Sequence, residues 1–186
     1  MSNKYRLAQS AASAVVDTLT WKDTLSVVSF DGAVRAVYGG GKMVPMTDAN
    51  KVVAKAWIKS NIQAYGGTAF TAPLLRAMDI LIAHKKRCGT GCSNTVLFMT
   101  DGAAAMTPAD YESILAKSKK AQAVIFGYAL GSGANVEHPK AMACMTDGMF
   151  YRVASTAALG NAMSSYYSYA TMKKKSRDIF SRGSFS

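Results

Sequence analysis

The stretch Thr95-Val96-Leu97-Phe98-Met99-Thr100-Asp101-Gly102 constrains the fold more than any other. From Thr95 to Met99 every residue is β-branched, aromatic or apolar, and the polar Thr100-Asp101-Gly102 then stops the run. A short continuous run of this kind reads as a strand buried on both faces, as in a parallel sheet. Ligands of such sheets bind in the crevice beyond the carboxyl ends of the strands. Asp101 is therefore expected at that edge, with Gly102 letting the backbone turn away. Taken alone, Asp101 also suits a plain turn or helix N-cap. The functional reading gains weight from a second stretch upstream, Gly66-Gly67-Thr68-Ala69-Phe70-Thr71.

The remaining sequence supplies what a parallel sheet needs, helices between strands. Leu7, Ala11, Ala14, Val15 and Leu19 recur at helical spacing and predict a helix over about Lys4–Leu19. Thr24–Phe30 reads as a strand, Asp31-Gly32 as a hairpin turn and Ala33–Tyr38 as the returning strand. Gly39-Gly40-Gly41 lacks the Lys-Ser/Thr that follows in a phosphate loop and reads as a flexible turn. A helix is expected over Asp48–Ala64, with Val52, Val53, Ala56 and Trp57 inward, and another over Ala72–His84. His84, with Lys85, Lys86 and Arg87, suits the negative end of that helix rather than a metal site. Thr107-Pro108 opens a helix running to about Lys119. Ala121–Leu130 is a strand, closed by Gly131-Ser132-Gly133, a Gly-x-Gly too short for a dinucleotide fingerprint. His138–Met145 is a short helix, with His138 expected at the surface. Met149–Val153 is a short strand, and Ser155–Met172 is a final helix turning Leu159, Met163 and Tyr166 inward. One hairpin followed by alternating helices and strands implies an α/β domain with a mostly parallel sheet.

With 49% hydrophobic and 18% charged residues over 186 positions, the chain is globular and long enough for one domain with a sizeable core. No apolar run reaches the 18 or more residues of a membrane span. The net charge of +11 is partly local, since Lys173, Lys174, Lys175, Arg177 and Arg182 lie in a Ser- and Gly-bearing tail over 173–186. That tail reads as a flexible basic extension. Cys88 and Cys92 flank a Gly-bearing turn and form either a local disulfide or two free thiols, while Cys144 makes the count odd. No second pair or adjacent His completes a zinc set, and the compartment stays open. The methionines read as adaptable core filler.

In order and spacing these motifs resemble a von Willebrand factor type A domain, over Lys4 to about Met172. The residues that carry the resemblance are Ala14-Val15-Val16-Asp17-Thr18-Leu19, Leu25–Phe30, Cys92–Asp101, Met142-Ala143-Cys144 and Gly148-Met149-Phe150-Tyr151. More loosely, they are similar to the A domain of the alpha-2/delta subunits of voltage-gated calcium channels and related Cache-associated proteins. The resemblance implies a doubly wound, mostly parallel sheet of Rossmann-like type. It also implies a metal-ion-dependent adhesion site built from an Asp-x-Ser-x-Ser loop after the first strand, a Thr and an Asp. Thr68 matches the Thr and Asp101 the Asp. Asp-x-Ser-x-Ser occurs nowhere in the chain. The domain is accordingly expected to lack its first, central strand, with Met1 just downstream of the missing motif, as in a fragment of a larger protein. Leu25–Phe30 and Thr95–Met99 should then share a sheet without pairing with each other.

The function implied is a non-enzymatic protein-binding module. Mg²⁺, or Ca²⁺ or Mn²⁺, would sit on oxygen ligands, and an acidic side chain of a protein partner would complete the shell. The ion would be weakly held or absent with Thr68 and Asp101 alone. Thr68 could instead cap the helix that follows it. Two other classes compete: an α/β metal-dependent enzyme with Asp101 in its site, and a basic nucleic-acid-binding domain. The first lacks a nucleophile elbow, a phosphate loop and a suitably placed His, and the second rests on charge alone.

Overall fold

The computed structural model describes residues 4–63, 66–88 and 93–154. Five helices alternate with strands: α1 (Lys4–Thr18), β1 (Thr24–Leu25), β2 (Val28–Phe30), β3 (Val34–Val37), β4 (Val44–Pro45), α2 (Asp48–Asn61), α3 (Thr71–Cys88), β5 (Asn94–Thr100), α4 (Pro108–Ala121), β6 (Ala123–Leu130), α5 (Glu137–Met145) and β7 (Phe150–Val153). The expected final helix with Leu159, Met163 and Tyr166, the tail over 173–186, and Cys92 with any Cys88–Cys92 bridge lie outside the described residues. Cys144 is an exposed free thiol.

Strands β5, β6 and β7 form a parallel ladder in that order. All of β6 from Ala123 to Leu130 is buried, which explains its uninterrupted apolar sequence. Val124, Phe126, Tyr128 and Leu130 face α1, where Leu7, Ala11 and Val15 pack on them. Ile125 faces the opposite layer, with Phe98, Leu74, Met78, Ile114 and Met142. Each fully buried aliphatic or aromatic side chain of this kind contributes about 1.5–3 kcal/mol. Helix α4 starts as Thr107-Pro108 predicts: Thr107 accepts from the Asp110 backbone N–H, and the Asp110 carboxylate accepts from the Thr107 N–H at 2.8 Å. This reciprocal pairing satisfies two otherwise orphaned donors. The methionine reading holds at Met46, Met78 and Met142, all fully buried.

Four expectations need correction. Thr24–Phe30 is two short strands: β1 pairs antiparallel with β4, and β2 forms a bulged antiparallel hairpin with β3 through Asp31-Gly32. Leu25–Phe30 and Thr95–Met99 do not pair with each other, as expected, but neither do they share one hydrogen-bonded sheet, because the described strands form three separate ladders. Strand β5 is not buried on both faces, since Thr95, Val96, Leu97 and Met99 are only half-buried. The reason lies beside it: an open slot of about 410 Å³ runs between β5 and the β1–β2 stretch. On α2 the inward face is misassigned at three positions, while Trp57 packs against the core as expected. Val52 and Val53 are 69% and 56% exposed and Ala56 is exposed, while Ala54 and Ile58 are buried against Val16 of α1 and Tyr38. Helix α2 carries apolar residues on more than one side, and the packing against α1 chooses which side goes in.

Candidate functional site

The loops that leave the carboxyl ends of β2 and β5 meet around 66–70. The Ala69 N–H donates to the Asp31 carbonyl at 2.6 Å, which ties this loop to the β2–β3 turn. Gly67 has φ +85°, and a side chain there would reach within 3.4 Å of the Gly32 backbone nitrogen. Thr68 continues past this point to the β5 end. A Cβ on Gly102 would lie 2.6 Å from the Thr68 hydroxyl oxygen, so the hydroxyl rests against the Gly102 Cα. The Thr100 hydroxyl accepts from the Gly102 N–H at 3.2 Å and tightens the turn that carries Asp101. Thr68, half-buried, and Asp101, exposed, thus line one mouth at the carboxyl edge of β5. Thr68 lies ahead of α3, which starts only at Thr71, with its hydroxyl turned to Gly102.

Asp31 belongs to the same edge and was legible in sequence only as a turn residue. It is buried, accepts from the Ala33 N–H at 3.1 Å and pairs with Arg35. The Arg35 guanidinium holds its carboxyl below the usual carboxylate range, against the opposing effect of burial. A carboxylate lowered in this way adds stability above its unfolded value of about 3.9 and loses it as pH falls through the lower folded value. Asp31→Asn should therefore destabilise the chain at pH 7. The gap to wild type should close as pH drops below about 4, measured by urea unfolding across that range.

Neither histidine joins Asp101. The Thr24 hydroxyl lies 3.4 Å from His84 Nε2, and His84 falls inside α3, which runs on to Cys88. His138 is half-buried rather than at the surface as expected, because its Nδ1 lies 2.5 Å from the Tyr111 hydroxyl and its ring packs edge-on to Phe70.

The donors at the β5 edge, a carboxylate and a hydroxyl, are of the kind a hard divalent cation takes. Among the described residues no three His, Cys, Asp or Glu side chains gather where they could hold a metal ion. The chain's own groups therefore suit such an ion in kind and fall short in number. Among those residues, too, no helix is long and apolar enough to cross a membrane.

Comparison with known proteins agrees with this architecture. No curated protein matches the chain in sequence. Among solved structures, the chain is similar to a von Willebrand factor type A protein from Catenulispora acidiphila, at 23% identity and a TM-score of 0.73, over 86% of this chain and 36% of that one. It is similar to BatB from Bacteroides thetaiotaomicron at 16% identity and a TM-score of 0.60, over 90% and 88% of the two chains. It is also similar to proximal thread matrix protein 1 of the mussel byssus at 18% identity and a TM-score of 0.59, over 88% and 40%. At these identities the likeness is one of fold, and this chain spans about a third of the length of the Catenulispora protein. The von Willebrand factor type A domain family matches residues 2–165, most of the chain, and the chain belongs to that family.

Proposed function

We propose that the chain is a protein-interaction module, without catalytic activity of its own, whose binding face is the carboxyl edge of β5. Thr68 and Asp101 supply two oxygen ligands to a divalent cation there, and an acidic side chain of a protein partner completes the shell. The observation that carries this reading is the seating of the Thr68 hydroxyl against Gly102, next to Asp101. A larger parent protein, of the calcium-channel alpha-2/delta type, is the finer reading. It is supported by the sequence stretches Cys92–Asp101 and Gly148–Tyr151. An enzymatic role for Asp101 is disfavoured because both histidines are engaged elsewhere, with Thr24 and Tyr111.

A weakly held ion is best found with a paramagnetic probe. Millimolar Mn²⁺ is expected to broaden the amide signals of Thr68, Asp101 and Gly102 before any others, and Asp101→Ala should erase that selectivity. Broadening centred instead on acidic residues elsewhere, such as Glu112 or Asp147, would defeat the assignment.

A further inference from the structure

The end of the domain opposite the Thr68–Asp101 edge is basic. Helix α3 starts beside that edge and runs for 18 residues, about 27 Å, so its last turn lies at the amino end of the sheet. Helix α4 starts past the carboxyl end of β5 and returns to the level of its beginning, where the Asn94 side-chain amide donates to the Ala121 carbonyl at 2.7 Å. The segment before β1 joins them, because the Thr24 hydroxyl lies 3.4 Å from His84 Nε2 near the end of α3. These elements bring Trp21 and Lys22, Lys85 and Lys86, and Lys119 and Lys120 to one pole. Neither helix carries an acid in its last two turns. Of the carboxylates at this end, Asp23 accepts from the Thr20 N–H and hydroxyl, Asp48 has Lys51 one turn on, and Asp147 lies apart in the turn after α5.

Lysines in the last turns of helices are what the helix dipole favours. Trp21 has no such explanation. It is 70% exposed, and the Lys22 ammonium lies 5.3 Å from its ring centroid. An exposed Trp among lysines is the combination that suits a membrane–water interface, where the ring sits at headgroup level and the cations meet acidic headgroups. The helix ends argue against a nucleic acid. Register on a phosphate backbone draws on main-chain N–H groups and helix N-termini, and single strands need successive stacking aromatics. This pole offers helix C-termini, whose free groups are carbonyls, and one exposed aromatic ring. Its lysines are point charges on flexible stems, which match a diffuse anionic surface better than a fixed row of phosphates.

We propose that this pole docks the domain reversibly on an anionic lipid bilayer, with Trp21 at headgroup level and Lys22, Lys85, Lys86, Lys119 and Lys120 over the acidic headgroups. Docked in this way, the domain holds the Thr68–Asp101 edge off the bilayer by the length of β5, seven residues or roughly 23 Å. Docking uses neither Asp101 nor a cation, so it stands apart from the proposed metal site.

The test uses the full chain, in EDTA, with vesicles of phosphatidylcholine alone or with about 30% phosphatidylserine. The chain is expected to sediment with the anionic vesicles at ~0.1 M salt, to leave them at ~0.5 M, and to ignore the neutral ones. Lys85→Glu, Lys86→Glu, Lys119→Glu and Lys120→Glu together should lower the partition coefficient at least about tenfold, and Trp21→Ser about threefold or more. Lys173→Glu, Lys174→Glu and Lys175→Glu together control for net charge and for the basic tail, and should cost less. A measurement on the wild-type chain needs no variant to fold: brominated phosphatidylcholine in the anionic vesicles should quench Trp21, while Trp57 is packed against Tyr38. Equal binding to neutral vesicles, absence of quenching, or an equal or larger loss in the tail variant would overturn the proposal. So would tighter binding to a mixed-sequence DNA duplex at the same salt, lost in the α3–α4 lysine variant, which would assign the pole to nucleic acid. Because EDTA is present throughout, failure here leaves the metal reading untouched.

Discussion

A fusion that places an apolar strand and an Asp-x-Ser-x-Ser loop ahead of α1 should bind Mg²⁺ and Mn²⁺ at least about tenfold more tightly than the chain alone. Mg²⁺ demands near-octahedral oxygen coordination and dehydrates reluctantly, so a site with one carboxylate and one hydroxyl competes poorly with water. The chain by itself offers that pair, Asp101 and Thr68, at the edge of β5. Its affinity is therefore expected to be millimolar or weaker. The added loop brings a further carboxylate and two hydroxyls to the same edge, provided its strand fills the slot beside β5. Asp101→Ala in the fusion should abolish binding. Asp110→Ala should not, because that carboxylate is committed to the cap of α4, where it accepts from the Thr107 N–H and hydroxyl at 2.8 Å. Isothermal titration of the chain, the fusion and the two variants separates these outcomes. A fusion that binds no better than the chain, or that tolerates Asp101→Ala, would make Asp101 a strand-end residue only.

Gly148→Ala is expected to destabilise the fold by about 3 kcal/mol or more, enough to shift the thermal midpoint by roughly 6–12 °C or prevent folding. A Cβ at this position would lie 1.9 Å from the Ile125 carbonyl oxygen and 2.8 Å from its carbon. Both are backbone atoms of β6, the buried central strand, and neither can swing aside as a side chain could. The turn around Gly148 is pinned as well. Its N–H donates to the Ala143 carbonyl at 2.9 Å, and the Thr146 hydroxyl accepts from the Ile125 N–H at 2.9 Å. Relief of the clash would therefore require α5 to lift from β6, exposing Met142 and Ala143. Gly133→Ala is the matched control, since no heavy atom lies within 4 Å of its added methyl. It should stay within about 0.5 kcal/mol of wild type. Chemical denaturation of both variants gives the comparison, and near-equal midpoints would mean that α5 does not seat on β6 as described.

Much of the architecture is written in short-range signals. The run from Thr95 to Thr100, the apolar stretch ending at Leu130 and the Thr107-Pro108 start each yield the element they announce, because caps and periodicity act over a few residues. The alternation of helices and strands was enough to specify an α/β domain with a parallel sheet, and the polar Thr100-Asp101-Gly102 stop marked where β5 ends.

Other features depend on what each element meets in three dimensions. Whether α2 buries Val52 or Ala54 is a choice between two apolar stripes, decided by contact with Val16 of α1 and Tyr38. Thr24–Phe30 reads as one strand locally, yet splits because β4 and β3 claim its two halves for different ladders. His138 is half-buried rather than exposed because Tyr111 and Phe70, distant in sequence, pack against it. Asp31 is a turn residue by its neighbours and an anchor of the 66–70 loop only through its carbonyl bond to Ala69. Even the apolar run of β5 overstates its burial. Side-chain composition records which surfaces can be covered, while hydrogen-bonding edges are alike for every sequence. Which edges go unpaired among the described residues, such as those flanking the slot between β2 and β5, is therefore a property of the assembled strands alone.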